Sequence, residues 1–414
     1  MSVSDRRTEA ERAWQRLEIL AACTDEPGRI TRLAFSPALK EANDLVLGWM
    51  REIGMAASID AAGNVVGRYA GAAEDAPAIM LGSHLDTVRD GGRYDGALGV
   101  VAGLAVVERL ASASCRLPVA IEVVGFADEE GTRFGGSVLG SMAMAGLEPS
   151  GWAARVDIEG VSAGQAAIAF GLDPARVFEA SRRDTPPSAY IELHIEQGPV
   201  LEDRGVALGC VSGIAGALRA KVTVSGEAGH AGTVPMDMRA DSLVAASECI
   251  LAVERIAKQF QCIATVGQIR CHPNATNVIA GSVTFSLDLR SIEDGRKSAA
   301  AEDMFRAFGI IAASRGVLVE TEITSDTNST LCDPRLTGII RKALDETGCP
   351  VIEMPSGAGH DGLNVAHIAP IAMIFVRCAR GLSHHPDESI TIDDLAMGIE
   401  AVVKTCTMAA GEYD

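Results

Sequence analysis

The sequence predicts an α/β protein in two parts. The first is a discontinuous main domain, 1–212 and 329–414, with a mixed sheet flanked by helices; the second is an inserted ferredoxin-like α+β unit over 213–328. Three observations lead there. Short apolar runs of strand length alternate with helical spacings through the first half. Near residue 212 the order turns to strand, helix, two strands, helix, strand, which suits a small sheet with two helices on one face. From about Asp333 the first rhythm resumes. A chain of 414 residues with 48% hydrophobic content can bury the cores of two such domains.

Taken in order, Trp14 to Thr24 and Pro37 to Ile53 read as helices, and Ser58 to Tyr69 as a strand pair around Ala61-Ala62-Gly63-Asn64. Ala78 to Leu81 is a short buried strand with His84 just past its end. Gly96 to Leu110 has helical spacing, so Asp95 precedes a helix. Ala120 to Ala127 is a strand whose outlet is Asp128-Glu129-Glu130, and Tyr190 to Ile195 alternates like a strand carrying His194. In the inserted unit, Ala217 to Ser225 is a strand, Gly226 to Pro235 a Gly-rich loop and Met238 to Ile256 a helix. Strands over Ala264 to Ile269 and Ser282 to Leu289 follow, then a helix from Asp294 to Ala312 and a strand from Val317 to Ile323. The main domain resumes with a helix from Leu336 to Glu346 and strands at Val351 to Met354 and Ile371 to Val376. His84 and the acidic trio thus gather at strand C-terminal ends, where open α/β sheets collect ligands.

Charge and composition exclude several classes. A net charge of −19 and a pI near 4.9 argue against nucleic acid, whose phosphates demand a basic surplus. A small anionic substrate remains open, because one pocket Arg outweighs a global field screened over roughly 10 Å. The charged N-terminus lacks a signal-peptide core, and no run approaches the roughly 20 apolar residues of a membrane span. Ten cysteines without CxxC pairs suit reduced thiols in the cytoplasm.

The chemistry lies in separated outlets: Gly82-Ser83-His84-Leu85-Asp86-Thr87, Arg93-Tyr94-Asp95-Gly96, Asp128-Glu129-Glu130-Gly131, His194-Ile195-Glu196-Gln197-Gly198 and Ser383-His384-His385-Pro386. Singly, each has an ordinary explanation: an acidic trio is usually a solvated turn, and a lone His is more often a surface or core residue than a ligand. Jointly they form a donor set for two divalent cations. Two dications about 3.5–4 Å apart clamp a hydrolytic transition state. Their repulsion at an effective dielectric of about 20 is roughly 18 kcal/mol, so an anion must lie between them. Asp95 is the best bridge. His84, His194, His384 and Glu130 can cap the ions, leaving Glu129 free as a general base. Asp86 can orient His84. His367 reads as structural.

These residues resemble the M20 metallopeptidase-like superfamily. Within it, His194-Ile195-Glu196-Gln197-Gly198-Pro199-Val200-Leu201, Gly229-His230-Ala231-Gly232-Thr233-Val234-Pro235-Met236, Pro273 to Ile279 and Ser356-Gly357-Ala358-Gly359-His360-Asp361 are similar to the amidase, hydantoinase and carbamoylase branch, which hydrolyses ureido groups. Gly91 to Gly96, Asp128 to Phe134 and Phe375 to Cys378 look most like allantoate amidohydrolases; N-carbamoyl-L-amino-acid hydrolases and ureidoglycolate-type enzymes are the alternatives.

The resemblance implies two divalent metal ions per chain, zinc or manganese, with His84 and His194 on one, Glu130 and His384 on the other, and Asp95 bridging. It makes Glu129 the general base, places His385 outside the coordination sphere, and gives Gln197, His230, Asn277, Arg290 and Gly359 to the substrate. From the chemistry, His230 can stabilise an oxyanion and Arg290 can grip a carboxylate at two oxygens. The expected substrate is a small anionic ureide; neither nucleic acid nor membrane is an expected partner. A homodimer through the inserted domain is also implied, with His230 able to serve the partner's site. A non-catalytic binding protein fits less well, since binding alone needs no base beside the metals.

Overall fold

The computed structural model describes residues 3–136 and 138–413. It divides into two compact units, Met1–Gly213 with Leu331–Asp414, and Ile214–Thr330.

The first unit is built on a nine-stranded mixed sheet in the order Ala56–Ile59, Val65–Tyr69, Ala120–Phe126, Ala78–His84, Ala189–Ile195, Ile371–Val376, Leu208–Ile214 and Thr330–Leu331, with Glu353–Ser356 also paired to Leu208–Ile214. The four strands from Ala120–Phe126 to Ile371–Val376 are mutually parallel, while the flanking pairs are antiparallel. Parallel strands buried on both faces need continuous apolar sequence. Ala78–His84, Ala120–Phe126, Ala189–Ile195 and Ile371–Val376 are indeed buried throughout. The helix Ala97–Ser112 is apolar nearly all round and packs on three of these strands. Each fully buried Leu or Val there contributes about 1.5–3 kcal/mol.

Parallel register sets the site. His84 lies opposite Phe126, and Phe375 lies opposite His194, so the chain exits after these residues on one edge of the sheet. His84 is the last residue of its strand; the strand runs three residues further than Leu81, because Gly82 and Ser83 remain paired to Val124 and Gly125.

The second unit has an antiparallel sheet in the order Ile269–His272, Ser282–Ser291, Gly216–Ser225, Leu318–Thr327, with Ile263–Thr265 also against Ser282–Ser291. Helices Ser242–Phe260 and Asp294–Arg315 share a core with one sheet face, around Val222, Val224, Cys249, Val253, Phe285, Met304 and Phe308. Alternation along Gly216–Ser225 puts Leu218, Ala220, Val222 and Val224 into that core and leaves Arg219 and Lys221 outside.

Several boundaries differ from the sequence reading. The first helix starts at Val3, not Trp14. The helix expected from Met238 starts at Ser242, because the Asp241 side chain accepts from Leu243 and Val244 amides and caps it there. The strand expected over Ala264 to Ile269 is two short strands broken around Gly267. Part of the Gly-rich loop is a small ladder, Gly229–His230 against Val278–Ile279. Helices Leu139–Met144, Ala163–Phe170 and Ile392–Ala410 were not anticipated. Where the chain returns from the second unit, Cys332 N–H bonds the Ser212 carbonyl at 3.0 Å. Among the described residues, no helix is long and apolar enough to cross a membrane.

Candidate metal centre

Asp95 is the hub. It sits just before the helix Ala97–Ser112, where the helix dipole favours a carboxylate. Its two oxygens face different imidazoles. Oδ1 lies 3.2 Å from His194 Nε2 and 3.7 Å from His84 Nε2, and Oδ2 lies 3.2 Å from His384 Nε2. Glu130 Oε1 is 3.5 Å from His384 Nε2, and Glu129 Oε2 is 3.9 Å from His84 Nε2. Ligand atoms of His84, Asp95 and His194, of Asp95, Glu130 and His384, and of His84, Glu129 and Glu130 cluster within 4.8 Å in each group. Gly96 has φ 68°, and a Cβ there would come 2.5 Å from the His84 ring, so glycine is required beside the hub.

The imidazoles are turned for metal. His194 Nδ1 donates to the Ile195 carbonyl at 2.9 Å, and His84 Nδ1 to the Asp86 carbonyl at 3.0 Å. In the neutral imidazole, the form that binds a metal, each Nε2 is then the lone pair. His194 Nε2 is buried without a hydrogen bond, an expensive vacancy for a polar atom unless an ion takes it. These residues fit a pair of dications on donor chemistry, orientation and burial.

Asp86 acts differently from the sequence expectation. Its backbone carbonyl, not its carboxylate, orients His84; carboxylate and Nδ1 are 3.9 Å apart. The carboxylate accepts instead from the Glu129 and Glu130 amides, both at 3.1 Å. One residue thus ties the His84 loop to the acidic outlet.

Electrostatics show a buried anionic set in need of positive charge. Burial raises Asp95, but the imidazoles of His194, His384 and His84 beside it hold it well below the usual carboxylate range. Burial works against His194 protonation, yet Asp95 lifts it to about 9; Asp95 also lifts His384 to about 9. Burial, then the charges of Asp361, Glu130, Asp86 and Asp95, push Glu129 well above the usual range. Burial brings Glu130 to about 7.

The remaining predicted residues fall in two places. Gln197, held at φ 58°, donates from Nε2 to Asp95 Oδ2 at 3.1 Å, while its Oε1 is buried without a hydrogen bond. Gly359 is exposed beside His360, whose ring packs edge-on to His194 at 4.6 Å between centroids. His230, Asn277 and Arg290 belong to the second unit. His230 pairs with Val278 in the small ladder, and the next residue, Ala231, bonds the Asn277 carbonyl at 3.0 Å. His230 Nδ1 accepts from Gly232 N–H at 3.0 Å, so Nε2 carries the proton. Arg290 is the last residue but one of the strand Ser282–Ser291, and its Nε and one terminal nitrogen grip Asp288 at 2.7 and 3.1 Å. His385 turns away from Asp95; its Nδ1 accepts from Asp387 N–H at 3.0 Å.

Sequence reasoning missed Glu192, His360, Ser383 and Glu388 as parts of this neighbourhood. Glu192 carried a weak signal, an acid inside an apolar strand. It is buried and bonded by Ser83 at 2.7 Å and Tyr190 at 2.9 Å.

Residues 80–407 match peptidase family M20/M25/M40. The chain belongs to this family. It is 41% identical over 411 residues to an N-carbamoyl-L-amino acid amidohydrolase of Geobacillus stearothermophilus, covering 98% of this chain and 100% of the relative. It is 36% identical to an allantoate deiminase of Arabidopsis thaliana, over 95% of this chain and 81% of that one. A crystal structure of an amidase of the hydantoinase/carbamoylase family from Burkholderia multivorans superposes with a TM-score of 0.91 at 33% identity, covering 97% of this chain and 98% of the other. The protein is an amidohydrolase of this family, a hydrolase of C–N bonds other than peptide bonds. The family is dinuclear-metal-dependent, and His84, Asp95 and His194 are candidate metal-binding residues here.

Proposed function

We propose that the protein hydrolyses the ureido C–N bond of allantoate, releasing ammonia, at a dinuclear centre held by His84, Asp95, Glu130, His194 and His384. The observation that carries this reading is Asp95, whose two oxygens address separate imidazoles while the Glu129 carboxylate lies alongside, 3.9 Å from His84 Nε2. His84 and His194 would hold one ion, Glu130 and His384 the other, with Asp95 between. When bound, such ions polarise a carbonyl and make water acidic enough to attack near neutral pH.

The chain's own groups do the rest. Glu129 takes a proton from the attacking water and returns it to the leaving amide nitrogen. Its burial favours both steps, because a raised pKa suits proton transfer near neutrality. His230 Nε2–H donates to the developing oxyanion. Gln197 Oε1 is the acceptor for a ureido N–H, its amide nitrogen being fixed on Asp95. Asn277 and Gly359 complete the polar contacts. Arg290, aimed by Asp288, holds the substrate carboxylate. Loss of ammonia leaves a carbamate, which sheds carbon dioxide. A homodimer through the second unit and a cytoplasmic setting belong to this reading.

The relative at 41% identity favours a second reading, an N-carbamoyl-L-amino acid as substrate with the same machinery. Ammonia release from allantoate, N-carbamoyl-L-amino acids, ureidoglycolate and dipeptides, each with manganese and with zinc, separates them. Allantoate should give the highest kcat/KM. A higher value for a carbamoyl amino acid selects the second reading, and dipeptide cleavage alone overturns both.

A further inference from the structure

We propose that Glu388 is a positioning residue that sets Asp95 for metal binding, an inference that rests on Asp95 being the bridging ligand. Glu388 lies 293 residues from Asp95 in sequence and is 1% exposed. A single oxygen, Oε1, accepts from two consecutive amides, Tyr94 N–H at 2.8 Å and Asp95 N–H at 3.1 Å. These amides sit just ahead of a helix start, where no intrahelical partner exists for them. Five residues earlier on the same loop, Ser383 Oγ donates to Asp95 Oδ2 at 2.8 Å. The loop therefore grips Asp95 at both ends, backbone through Glu388 and carboxylate through Ser383. Between the two grips it carries His384, held at φ 55°.

The loop is itself braced. Glu388 N–H bonds the His385 carbonyl at 3.0 Å, and Asp387 N–H bonds His385 Nδ1 at 3.0 Å. Gly92 is fitted to the arrangement from the other side: a Cβ there would stand 2.0 Å from the Glu388 carboxyl carbon. The backbone before Asp95 passes flat against the carboxyl group. A ligand that must present two oxygens in two directions tolerates little rotation, and this clamp is what removes it.

The geometry also says what the clamp requires. Both amides use one oxygen, and Oε2 makes no hydrogen bond. A glutamine carbonyl at the same reach can accept both amides. Alanine removes the acceptor, and aspartate falls one methylene short. Glu388→Gln should therefore keep the clamp, whereas Glu388→Ala, Glu388→Asp and Gly92→Ala should break it.

The test is chelator competition on the metal-loaded protein, with thermal melts at saturating metal as the control for folding. Wild type should hold two equivalents. Glu388→Ala and Gly92→Ala should release metal about 10–100-fold more readily, the usual cost of losing a group that orients a ligand. Glu388→Gln should stay near wild type. Wild-type affinity in both Glu388→Ala and Gly92→Ala overturns the proposal, and so does a melting temperature that drops while the folded fraction keeps its affinity. A Glu388→Gln protein as weak as Glu388→Ala also overturns it, since Glu388 would then act through charge. If Glu388→Ala does not fold, Glu388→Gln and Gly92→Ala decide by the same criteria. A wild type that binds no metal would instead sink the dinuclear reading itself.

Discussion

His194 and His230 are the same side chain set to opposite tasks by the backbone around them. His194 lies one residue before the end of a strand in the parallel centre of the large sheet and is 1% exposed. Its Nδ1–H donates to a carbonyl, so in the neutral ring Nε2 is a lone pair. His230 sits in a two-residue ladder on an exposed loop, and its Nδ1 accepts a hydrogen bond from an amide, so Nε2 is a donor. In the proposed mechanism the first would take a cation and the second would serve an oxyanion. The difference lies in whether the nearest main-chain group is C=O or N–H, and neither burial nor sequence neighbours alone reveal it.

The comparison can be broken most severely at the hub. Asp95→Ala should lose most of both metal equivalents and with them nearly all activity; metal analysis after gentle purification checks it, and full activity without metal would refute the centre. Next, Glu129→Gln should keep metal and fold yet lose roughly 10²–10⁴ of kcat. Glu130→Gln should lose metal as well, and the reverse pattern would exchange their roles. His230→Ala should cost roughly 10²–10³ in kcat with metal content unchanged, as expected for one oxyanion donor. If it released metal, the contrast between the two imidazoles would fail. Arg290→Ala should lower kcat/KM for the acid substrate by about 100-fold, from misplacement of the reacting carbon. An uncharged ester should be nearly indifferent. Equal losses would show that the pair with Asp288 serves the sheet instead.

The smallest expected effect is on stability. In metal-free protein His194 and His384 are raised from 6.5 to about 9, and Glu130 and Glu388 from 4.5 to about 7. A raised pKa means the folded state binds the proton more tightly, so this stability is present below the unfolded value and lost as pH rises through the folded one. The melting temperature of chelated protein should therefore fall as pH climbs from about 4.5 to 9. Bound metal should flatten the slope, and a rising profile in chelator would contradict the burial of this set.

The fold class was legible because parallel strands announce themselves as largely apolar runs, unbroken in Ile371 to Val376 and interrupted only by Glu122 in Ala120 to Phe126. His84, the acidic trio and His194 stood out because they lie where such a run stops. What stayed hidden depends on distant neighbours. Asp387-Glu388 resembles a solvated turn in sequence, and Glu388 is buried only because Gly92 leaves it room. Asp86 looked like a partner for His84, yet its carboxylate is claimed by amides 43 and 44 residues later. Arg290 looked available, and Asp288, two residues away on the same strand face, already holds its fork.

The bond between Cys332 and Ser212 has a practical meaning. The chain departs for the second unit and comes back at hydrogen-bonded neighbours in the main sheet, so 214–330 is spliced in like a cassette whose two ends already touch. A tight turn could replace it without stretching any strand, since closing a short loop between adjacent ends costs little conformational entropy. The unit that carries His84, Asp95 and His194 is thereby open to being expressed alone, or fitted with a different insert, as a chassis with an exchangeable part.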